Sequence, residues 1–423
     1  MGIVMAVFFL LLVIGVPVAH VVLGAAAVGI IASGNNGVLL AQQTVLGMNS
    51  YVLLAVPFFI ISGDLAAKGE TSRRLVNAIN AFMGGMRGGL GIATIFACAL
   101  FGAITGSSIA CVVAIGAMML PQLLEAGYPR GLTIGIITTA GTLGVMIPPS
   151  IPMLQISVAM STSVAKGFTS GFLPGLLTAV LMSLWVAFYA KRHDIPLQPK
   201  MGWREKLHVL KDSIWALLFP VIILGSIYGG IATPTEAAVI SVFYVLFVEI
   251  FIYRSIKLGA LWDIIKHSTV SAATLTLTIA TAQVFVWFMT TENIPTLLYN
   301  ALTTLIDNRY SMLFLLCLLF LVVGCFTNVA TVVIIIGPIL APVLKFFAID
   351  TLQFGVLAVL LSQLGFVSPP FGLCLFVAMK VAKASMPEVV KGSLPFLGAM
   401  VIATLLVVFF PALATWLPGL VYG

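Results

Sequence analysis

The sequence predicts an all-α polytopic membrane protein built from two related halves, and three observations support this fold class. Of the 423 residues, 61% are hydrophobic and only 8% are charged, and the mean hydropathy is +1.19. A soluble domain cannot bury so much apolar surface. The apolar residues form long runs, with room for on the order of a dozen membrane segments of about 20 residues each. A pattern of interrupted apolar segments also occurs twice along the chain.

Charged residues are concentrated in the short connections between the apolar runs. The formal net charge is +7, and the most polar connection, at 191–212, is rich in Lys and Arg. By the positive-inside rule this loop is predicted to be cytoplasmic. The basic residues are not interleaved with aromatic residues as in a nucleic-acid groove, so nucleic acid is not an expected partner.

The internal repeat is the most informative feature of the sequence. Leu143-Gly144 and Pro148-Pro149 match Leu364-Gly365 and Pro369-Pro370 at a displacement of 221 positions. The tetrapeptides GAIT at 102–105 and GCFT at 324–327 match at a displacement of 222. Repeated apolar segments that are broken by Gly and Pro at matching positions indicate a secondary transporter and mark its binding site.

Each half contains two interruptions at which regular helix is expected to stop. In the first half, ITGSSIA at 104–110 favours a sharp turn inside an apolar run, and hence a re-entrant hairpin. In GTLGVMIPPS at 141–150, the two prolines remove amide donors and unwind a helix. Unwound backbone at membrane depth is tolerated where a ligand, an ion or protein polar atoms satisfy it. Free carbonyls and hydroxyl oxygens are suitable ligands for sodium, and free amides at helix N-termini suit an anionic substrate.

Enzymatic motifs do not occur in the sequence. It contains no HExxH, GxSxG, Walker or dinucleotide-binding pattern, so catalysis and ATP hydrolysis within this chain are not expected. A few ionisable residues lie near apolar segments and are candidates for function by default. Of these, Asp64 is expected at a membrane boundary and Glu236 as a cap at the N-terminus of a helix that follows Pro234. The others are Glu249, Glu292 and Lys380.

Five motifs together resemble those of a known family, the large membrane subunit of the TRAP (tripartite ATP-independent periplasmic) transporters. The resemblance covers essentially the whole chain. Each motif alone is weak, but their order and spacing are specific. They are TGSS at 105–108, IPPS at 147–150, TPTEAA at 233–238, GCFTNVATVVIIIGPILAP at 324–342 and SPPFG at 368–372.

The resemblance implies sodium-coupled uptake of a small organic acid across the bacterial inner membrane. A periplasmic binding protein would deliver the solute, and a small four-helix membrane subunit would complete the complex. The implied fold has two inverted repeats, each with a re-entrant hairpin and a broken helix. It is an elevator-type ion transporter fold, in which a transport domain slides against a scaffold. Sialic acid, C4-dicarboxylates and other carboxylates all remain possible substrates.

The resemblance also implies at least two Na⁺ sites and a substrate site between them. Many family members have an aspartate at the position that Asn328 occupies here. Sodium site 1 would use the side chains of Thr105 and Ser107 and the backbone at Gly144, Ile147 and Pro149. Sodium site 2 would use Thr327 and Asn328 with the backbone at Gly365, Ser368 and Pro370. The expected substrate contacts are Ser107, Ser150, Ser163 and Asn328.

The expected domain organisation follows the two repeats. Scaffold helices occupy 1–90, and the first transport repeat occupies 91–191, with a hairpin at 94–120 and a broken helix at 130–165. A cytoplasmic loop, scaffold helices and an interfacial arm occupy 192–267, and the amphipathic sequence at 257–267 is the expected arm. Further scaffold helices occupy 268–310, and the second transport repeat with the C-terminal helix occupies 311–423, with a hairpin at 311–342 and a broken helix at 352–382.

Two other functions remain as alternatives. A cation/proton antiporter could have the same hairpin architecture, but it would need a carboxylate or lysine near the hairpin tips, and both tips lack one. A passive membrane scaffold would have no use for two matched broken helices. The sequence therefore favours the importer.

Overall fold

A computed structural model describes residues 2–326, 329–369 and 371–423. Within these ranges the chain forms twenty α-helices and no β-strand, which confirms the predicted all-α class. In the first half the helices are α1 Gly2–Val13, α2 Val18–Ala32, α3 Val38–Met48, α4 Ala55–Lys68, α5 Thr71–Met83, α6 Gly89–Thr105, α7 Ser108–Glu125, α8 Arg130–Ala140, α9 Ile151–Ala159 and α10 Val164–Arg192. In the second half they are α11 Trp203–Tyr228, α12 Pro234–Phe247, α13 Leu258–Thr291, α14 Ile294–Leu305, α15 Arg309–Phe326, α16 Val329–Phe346, α17 Thr351–Phe366, α18 Leu373–Ala382, α19 Met386–Phe409 and α20 Ala412–Tyr422.

Long apolar helices dominate the described part of the chain. Seven segments are long and apolar enough to cross a membrane, and shorter apolar helices accompany them. The shorter ones include α6 and α17, which belong to the predicted first hairpin and second broken helix. The seven long segments are Tyr51–Lys68, Ser108–Glu125, Val164–Arg192, Trp203–Tyr228, Pro234–Ile252, Gly259–Thr291 and Met386–Phe409.

Two amphipathic helices, α5 and α14, connect the long helices to the hairpins. In α5 the apolar side chains of Leu75 and Val76 are buried, whereas Arg73 and Asn77 are exposed. This helix packs against α6 and α11, and α14 packs against α13 and α16. The two connectors occupy equivalent places in the two halves, since α5 joins α4 to α6 and α14 joins α13 to α15.

Helices of each half pack against helices of the other half. The returning arm of the first hairpin, α7, packs against α18 of the second broken helix. In the same way α16, the returning arm of the second hairpin, packs against α9 of the first broken helix. Each half therefore completes the apolar packing of the other.

The segment expected to form an interfacial arm, 257–267, is continuous with the helix that follows it. Helix α13 runs without a break over 34 residues from Leu258 to Thr291. Trp262, near its start, is 69% exposed. The predicted arm and a predicted scaffold helix are therefore one continuous helix in the structure.

Glu249 anchors the first connector helix. It lies in a π-helical turn, Val248–Ile252, and is fully buried. Its carboxylate accepts hydrogen bonds from the amides of Glu70 and Thr71, both at 2.9 Å, and from the Thr71 hydroxyl at 2.6 Å. The hydroxyl of Ser255 donates to it as well. A carboxylate at a helix N-terminus is favoured by the free amides and the helix dipole, so Glu249 fixes the start of α5.

Candidate functional site

The turn between α6 and α7 places two hydroxyl groups at the tip of the first hairpin. Gly106 adopts a left-handed conformation with φ of 60°, and α6 ends directly before it at Thr105. Ser107 is the N-cap of α7, and its Oγ accepts a hydrogen bond from the Ala110 amide at 3.3 Å. The Oγ1 of Thr105 accepts a bond of 3.4 Å from the Ser107 amide. Each hydroxyl oxygen has a second lone pair available for a cation.

The first broken helix is interrupted between a 3₁₀ turn at Gly141–Val145 and the start of α9. The prolines at 148 and 149 have no amide hydrogen, so the carbonyls of Gly144 and Val145 cannot receive their helical hydrogen bonds. The Ser150 hydroxyl donates to the Val145 carbonyl at 2.5 Å and also caps α9. This hydroxyl therefore compensates for one of the two lost backbone bonds.

Five carbonyl oxygens at this break accept no hydrogen bond from any of the described residues. They are those of Gly144, Met146, Ile147, Pro148 and Pro149. The whole stretch around them is buried. Since an unpaired buried carbonyl is costly, these oxygens need water or a ligand, and a hard cation is a suitable one. The backbone positions predicted for sodium site 1, Gly144, Ile147 and Pro149, are three of the five.

A close approach of two glycines brings the hairpin to the break. A Cβ added at Gly102 would lie 2.1 Å from the Cα of Gly144. A Cβ at Gly106 would lie 2.9 Å from Cγ1 of Ile151, the first residue of α9. Both ends of the break therefore contact the hairpin, so the five residues predicted for sodium site 1 lie on two touching segments. Helix α4 touches the same tip, because a Cβ at Gly63 would lie 2.7 Å from the Cα of Thr105.

The second half contains the equivalent glycine contact. A Cβ at Gly365 would lie 2.5 Å from the carbonyl carbon of Gly324, at the positions that match Gly144 and Gly102. The Ser368 hydroxyl donates to the Leu364 carbonyl at 2.7 Å. The other residues predicted for sodium site 2, namely Thr327, Asn328 and Pro370, lie outside the described residues, so this site remains a prediction.

One contact between the halves could not be predicted from the sequence. The hydroxyl of Ser108, at the start of α7, donates to Oε1 of Gln363 in α17 at 2.5 Å, and each residue is 3% exposed. Position 330, which matches Ser108, is an alanine, and position 142, which matches Gln363, is a threonine. The link is therefore absent from the repeat pattern. A glutamine inside the apolar run of α17 was the only available signal.

The serines predicted to contact the substrate do not all lie together. Ser107 and Ser150 cap helices that start at the hairpin tip and at the break. Ser163 caps α10 and is exposed, and its Oγ accepts from the Lys166 amide at 3.4 Å. It lies beyond the far end of α9, which separates it from Ser150 by about 14 Å of helix.

Two ionisable residues have local structural partners. Glu236 forms a capping box with Thr233: its carboxylate accepts from the Thr233 amide at 2.7 Å, and its amide donates to the Thr233 hydroxyl at 3.3 Å. This confirms the expected helix cap. Asp64 accepts a hydrogen bond of 2.6 Å from Ser268 and lies 3.5 Å from His267, which ties α4 to α13.

Groups of three or more His, Cys, Asp or Glu residues that could hold a metal ion do not occur among the described residues. A cation at the break would therefore depend on hydroxyl and carbonyl oxygens. Such ligands are typical of hard cations and unsuited to zinc or copper.

Comparison with known proteins gives the family. Residues 5–413 match the family described as the DctM component of the tripartite ATP-independent periplasmic transporter. The chain belongs to this family. It is thus a multi-pass membrane protein of a transport system, and the resemblance inferred from the motifs is confirmed. Because the family consists of transporter permeases, the prediction that the chain is not an enzyme is confirmed as well.

Several members of the DctM family are about one-third identical to this chain. The ectoine/5-hydroxyectoine TRAP transporter large permease protein UehC of Ruegeria pomeroyi is 34% identical across 91% of this chain and 90% of that protein. The C4-dicarboxylate TRAP transporter large permease protein DctM of Pseudomonas aeruginosa is 35% identical across 87% of this chain and 86% of its own length. The isethionate TRAP transporter permease protein DctMQ of Oleidesulfovibrio alaskensis is 35% identical, and this chain covers 65% of it.

The fold of this DctM-family chain is also similar to that of solved transporters. The Alcanivorax borkumensis YdaH transporter superimposes with a TM-score of 0.66 at 14% identity, covering 88% of this chain and 87% of that one. At this identity the likeness concerns the fold alone.

Proposed function

We propose that this DctM-family chain is the large permease of a sodium-coupled importer for a small organic acid. The observation that supports this most directly is the contact between two segments. One is the break, where the carbonyls of Gly144, Ile147 and Pro149 accept no hydrogen bond from described residues, and the other is the hairpin that carries the hydroxyls of Thr105 and Ser107. Five oxygen ligands without a carboxylate suit Na⁺, and the equivalent glycine contact in the second half supports a second such site.

The proposed substrate carries an acidic group. The relatives are named for C4-dicarboxylates, isethionate and ectoine, which all contain a carboxylate or a sulfonate. The N-termini of α7 and α9 start at the hairpin tip and at the break, so two positive dipole ends meet at the proposed site. An anion would be attracted to these ends, and bound Na⁺ would strengthen the attraction.

The proposed mechanism is of the elevator type, in the bacterial inner membrane. The connectors α5 and α14 join the hairpins to long helices at equivalent positions, as expected for links between a scaffold and a moving transport domain. The proposed partners are a periplasmic binding protein that delivers the solute and a small four-helix membrane subunit. The share of DctMQ that this chain leaves uncovered is consistent with a separate small subunit.

Uptake of labelled C4-dicarboxylate into proteoliposomes tests the proposal, with the chain reconstituted together with both partners. Uptake is expected to require an inward sodium gradient and the binding protein. Transport that persists without sodium would refute the coupling, and sodium-proton exchange without any organic acid would support the antiporter instead. If the dicarboxylate fails, isethionate, ectoine and sialic acid under the same gradient test the wider substrate class.

Ser107→Ala tests sodium site 1 directly. Loss of one charge-assisted contact of about 1.5 kcal/mol should raise the sodium concentration for half-maximal uptake by about tenfold. Ser107→Thr, which keeps the hydroxyl, should restore most of the affinity. Ser183→Ala is the matched control, since Ser183 is buried in α10 and its hydroxyl donates only to the Ala179 carbonyl at 2.7 Å. An equal loss in both alanine variants would contradict the site.

A further inference from the structure

The two breaks differ in how their backbone oxygens are occupied. At the first break, the carbonyls of Gly144 and Ile147 accept no hydrogen bond from any described residue. At the second break, the Gly365 carbonyl accepts a bond of 3.1 Å from the Ser368 amide, and the Ser368 carbonyl accepts one of 3.1 Å from the Gly372 amide. A sodium ion at the first break therefore meets free oxygens, whereas an ion at the second break must share or replace bonds that are already formed.

A hydrogen bond between Ser108 and Gln363 connects the two halves beside these breaks. The Ser108 hydroxyl donates to Oε1 of Gln363 at 2.5 Å, and both side chains are buried. Gln363 is held in turn, because its Nε2 donates to the Ser362 hydroxyl at 3.3 Å. Helix α17, which carries Gln363, also packs directly against the 3₁₀ turn of the first break. Since water does not compete for these buried groups, the hydrogen bond is strong and holds the two helices in one relative position.

The Ser108 end of this bond lies beside the first sodium site. Ser108 is the first residue of α7 and follows Ser107, the serine of the hairpin tip that is predicted to bind the ion. The Ser108 carbonyl oxygen would lie 3.3 Å from a Cβ built at Gly141, where the 3₁₀ turn of the first break begins. An ion bound between the tip and the break would therefore fix Ser108 relative to both segments.

The Gln363 end of this bond lies beside the second break. Gln363 is in the last turn of α17 and precedes Gly365, a residue predicted for sodium site 2, by two positions. This turn contacts the second hairpin, because a Cβ at Gly324 would lie 2.8 Å from the Cα of Ser362. A displacement of Gln363 would therefore move the backbone that is predicted to bind the second ion.

We propose that the hydrogen bond between Ser108 and Gln363 makes sodium binding at the two breaks cooperative, with site 1 filled first. This inference rests on the proposed sodium-coupled function. The first ion orders the hairpin tip and so holds Ser108, and Ser108 holds the end of α17. The second ion then binds to a segment that is already ordered, so it binds more tightly. Ser108 and Gln363 are thus positioning residues, and neither is a predicted ligand of an ion.

Equilibrium binding of radioactive sodium to the purified full chain in detergent tests this proposal. The wild-type chain should bind sodium with a Hill coefficient above unity and up to about 2, the number of predicted sites. Ser108→Ala should reduce the Hill coefficient to about 1 and weaken binding of the second ion by at least about fivefold. The first ion should bind as before, because the predicted ligands of site 1 are all retained.

Further variants separate the coupling from a structural role. Ser108→Ala combined with Gln363→Leu removes both polar groups of the bond, so the unfolding midpoint should recover while the Hill coefficient stays at about 1. Ser108→Thr keeps a hydroxyl and should restore the steep binding curve. Gln353→Leu is the matched control, because Gln353 is also a buried glutamine of α17 but bonds to Arg309 and to the Val407 carbonyl. This variant should lower the unfolding midpoint and leave the Hill coefficient unchanged.

The outcomes distinguish the coupling from the proposed function. An unchanged Hill coefficient in Ser108→Ala, or an equal fall in Gln353→Leu, would overturn the role of the hydrogen bond. A wild-type Hill coefficient of about 1, with uptake that still requires the sodium gradient, would overturn the cooperativity and leave the importer intact. A wild-type chain that binds no sodium would overturn both.

Discussion

Replacing Gly102 with alanine is expected to separate the first hairpin from the broken helix. The new Cβ would lie 2.1 Å from the Cα of Gly144, whereas two carbon atoms in contact prefer about 3.5 to 4.0 Å. The obstructing atom belongs to the backbone, so rotation of a side chain cannot relieve the overlap. Helix α6 and the 3₁₀ turn must therefore move apart by about 1.5 Å, and overpacking of this kind costs about 3 kcal/mol.

Thermal unfolding in detergent, followed by size-exclusion chromatography, measures this loss. Gly102→Ala should lower the midpoint by on the order of 5 °C. Gly324→Ala should lower it less, because its Cβ would lie 2.8 Å from the Cα of Ser362. Gly398→Ala is the control, since its Cβ meets nothing within 4 Å and alanine favours helix by about 1 kcal/mol. A wild-type midpoint for Gly102→Ala, or a reversed order of Gly102→Ala and Gly324→Ala, would refute the argument.

Two further substitutions test buried contacts. Gly69→Ala would place a Cβ 2.2 Å from Cδ of Glu249, so it should displace the carboxylate that caps α5. Faster amide hydrogen exchange confined to the start of α5 would verify this displacement, and unchanged exchange would contradict it. Ser108→Ala would leave the buried Gln363 amide without its partner at a cost of about 1 to 3 kcal/mol. Adding Gln363→Leu should recover part of this loss in the unfolding midpoint, and additive losses would count against a direct interaction.

The features that the sequence predicted correctly depend on local chemistry. Helix ends at Thr105 and before Pro148 follow from the preferences of glycine and proline, and the Glu236 cap follows from a four-residue pattern. The sequence predicts the hairpin of the first half at 94–120, whereas its two helices extend from Gly89 to Glu125. The difference arises because Gly88, in a left-handed conformation, starts α6 earlier than hydropathy indicates.

The features that escaped prediction depend on contacts between distant parts of the chain. Ser108 and Gln363 are separated by 255 positions, and Glu249 and the Thr71 amide by 178. Apolar periodicity does not indicate which helices are in contact. The hydrogen bond between Ser108 of the hairpin and the buried Gln363 could therefore not be predicted from it. The repeat gave no help either, since neither contact has matching residues at the equivalent positions of the other half.

The contacts between helices of the two halves have a consequence for biosynthesis. Helix α7 is made about 250 residues before its neighbour α18, and α9 is made roughly 180 residues before α16. At about 5 to 20 residues per second, the first half waits on the order of 10 to 50 s in the bilayer without these partners. During that interval its glycine-rich faces and the Ser108 hydroxyl are open to lipid or to insertion factors. A truncated first half should therefore be a target for membrane proteases, and co-expression with the missing half should protect it.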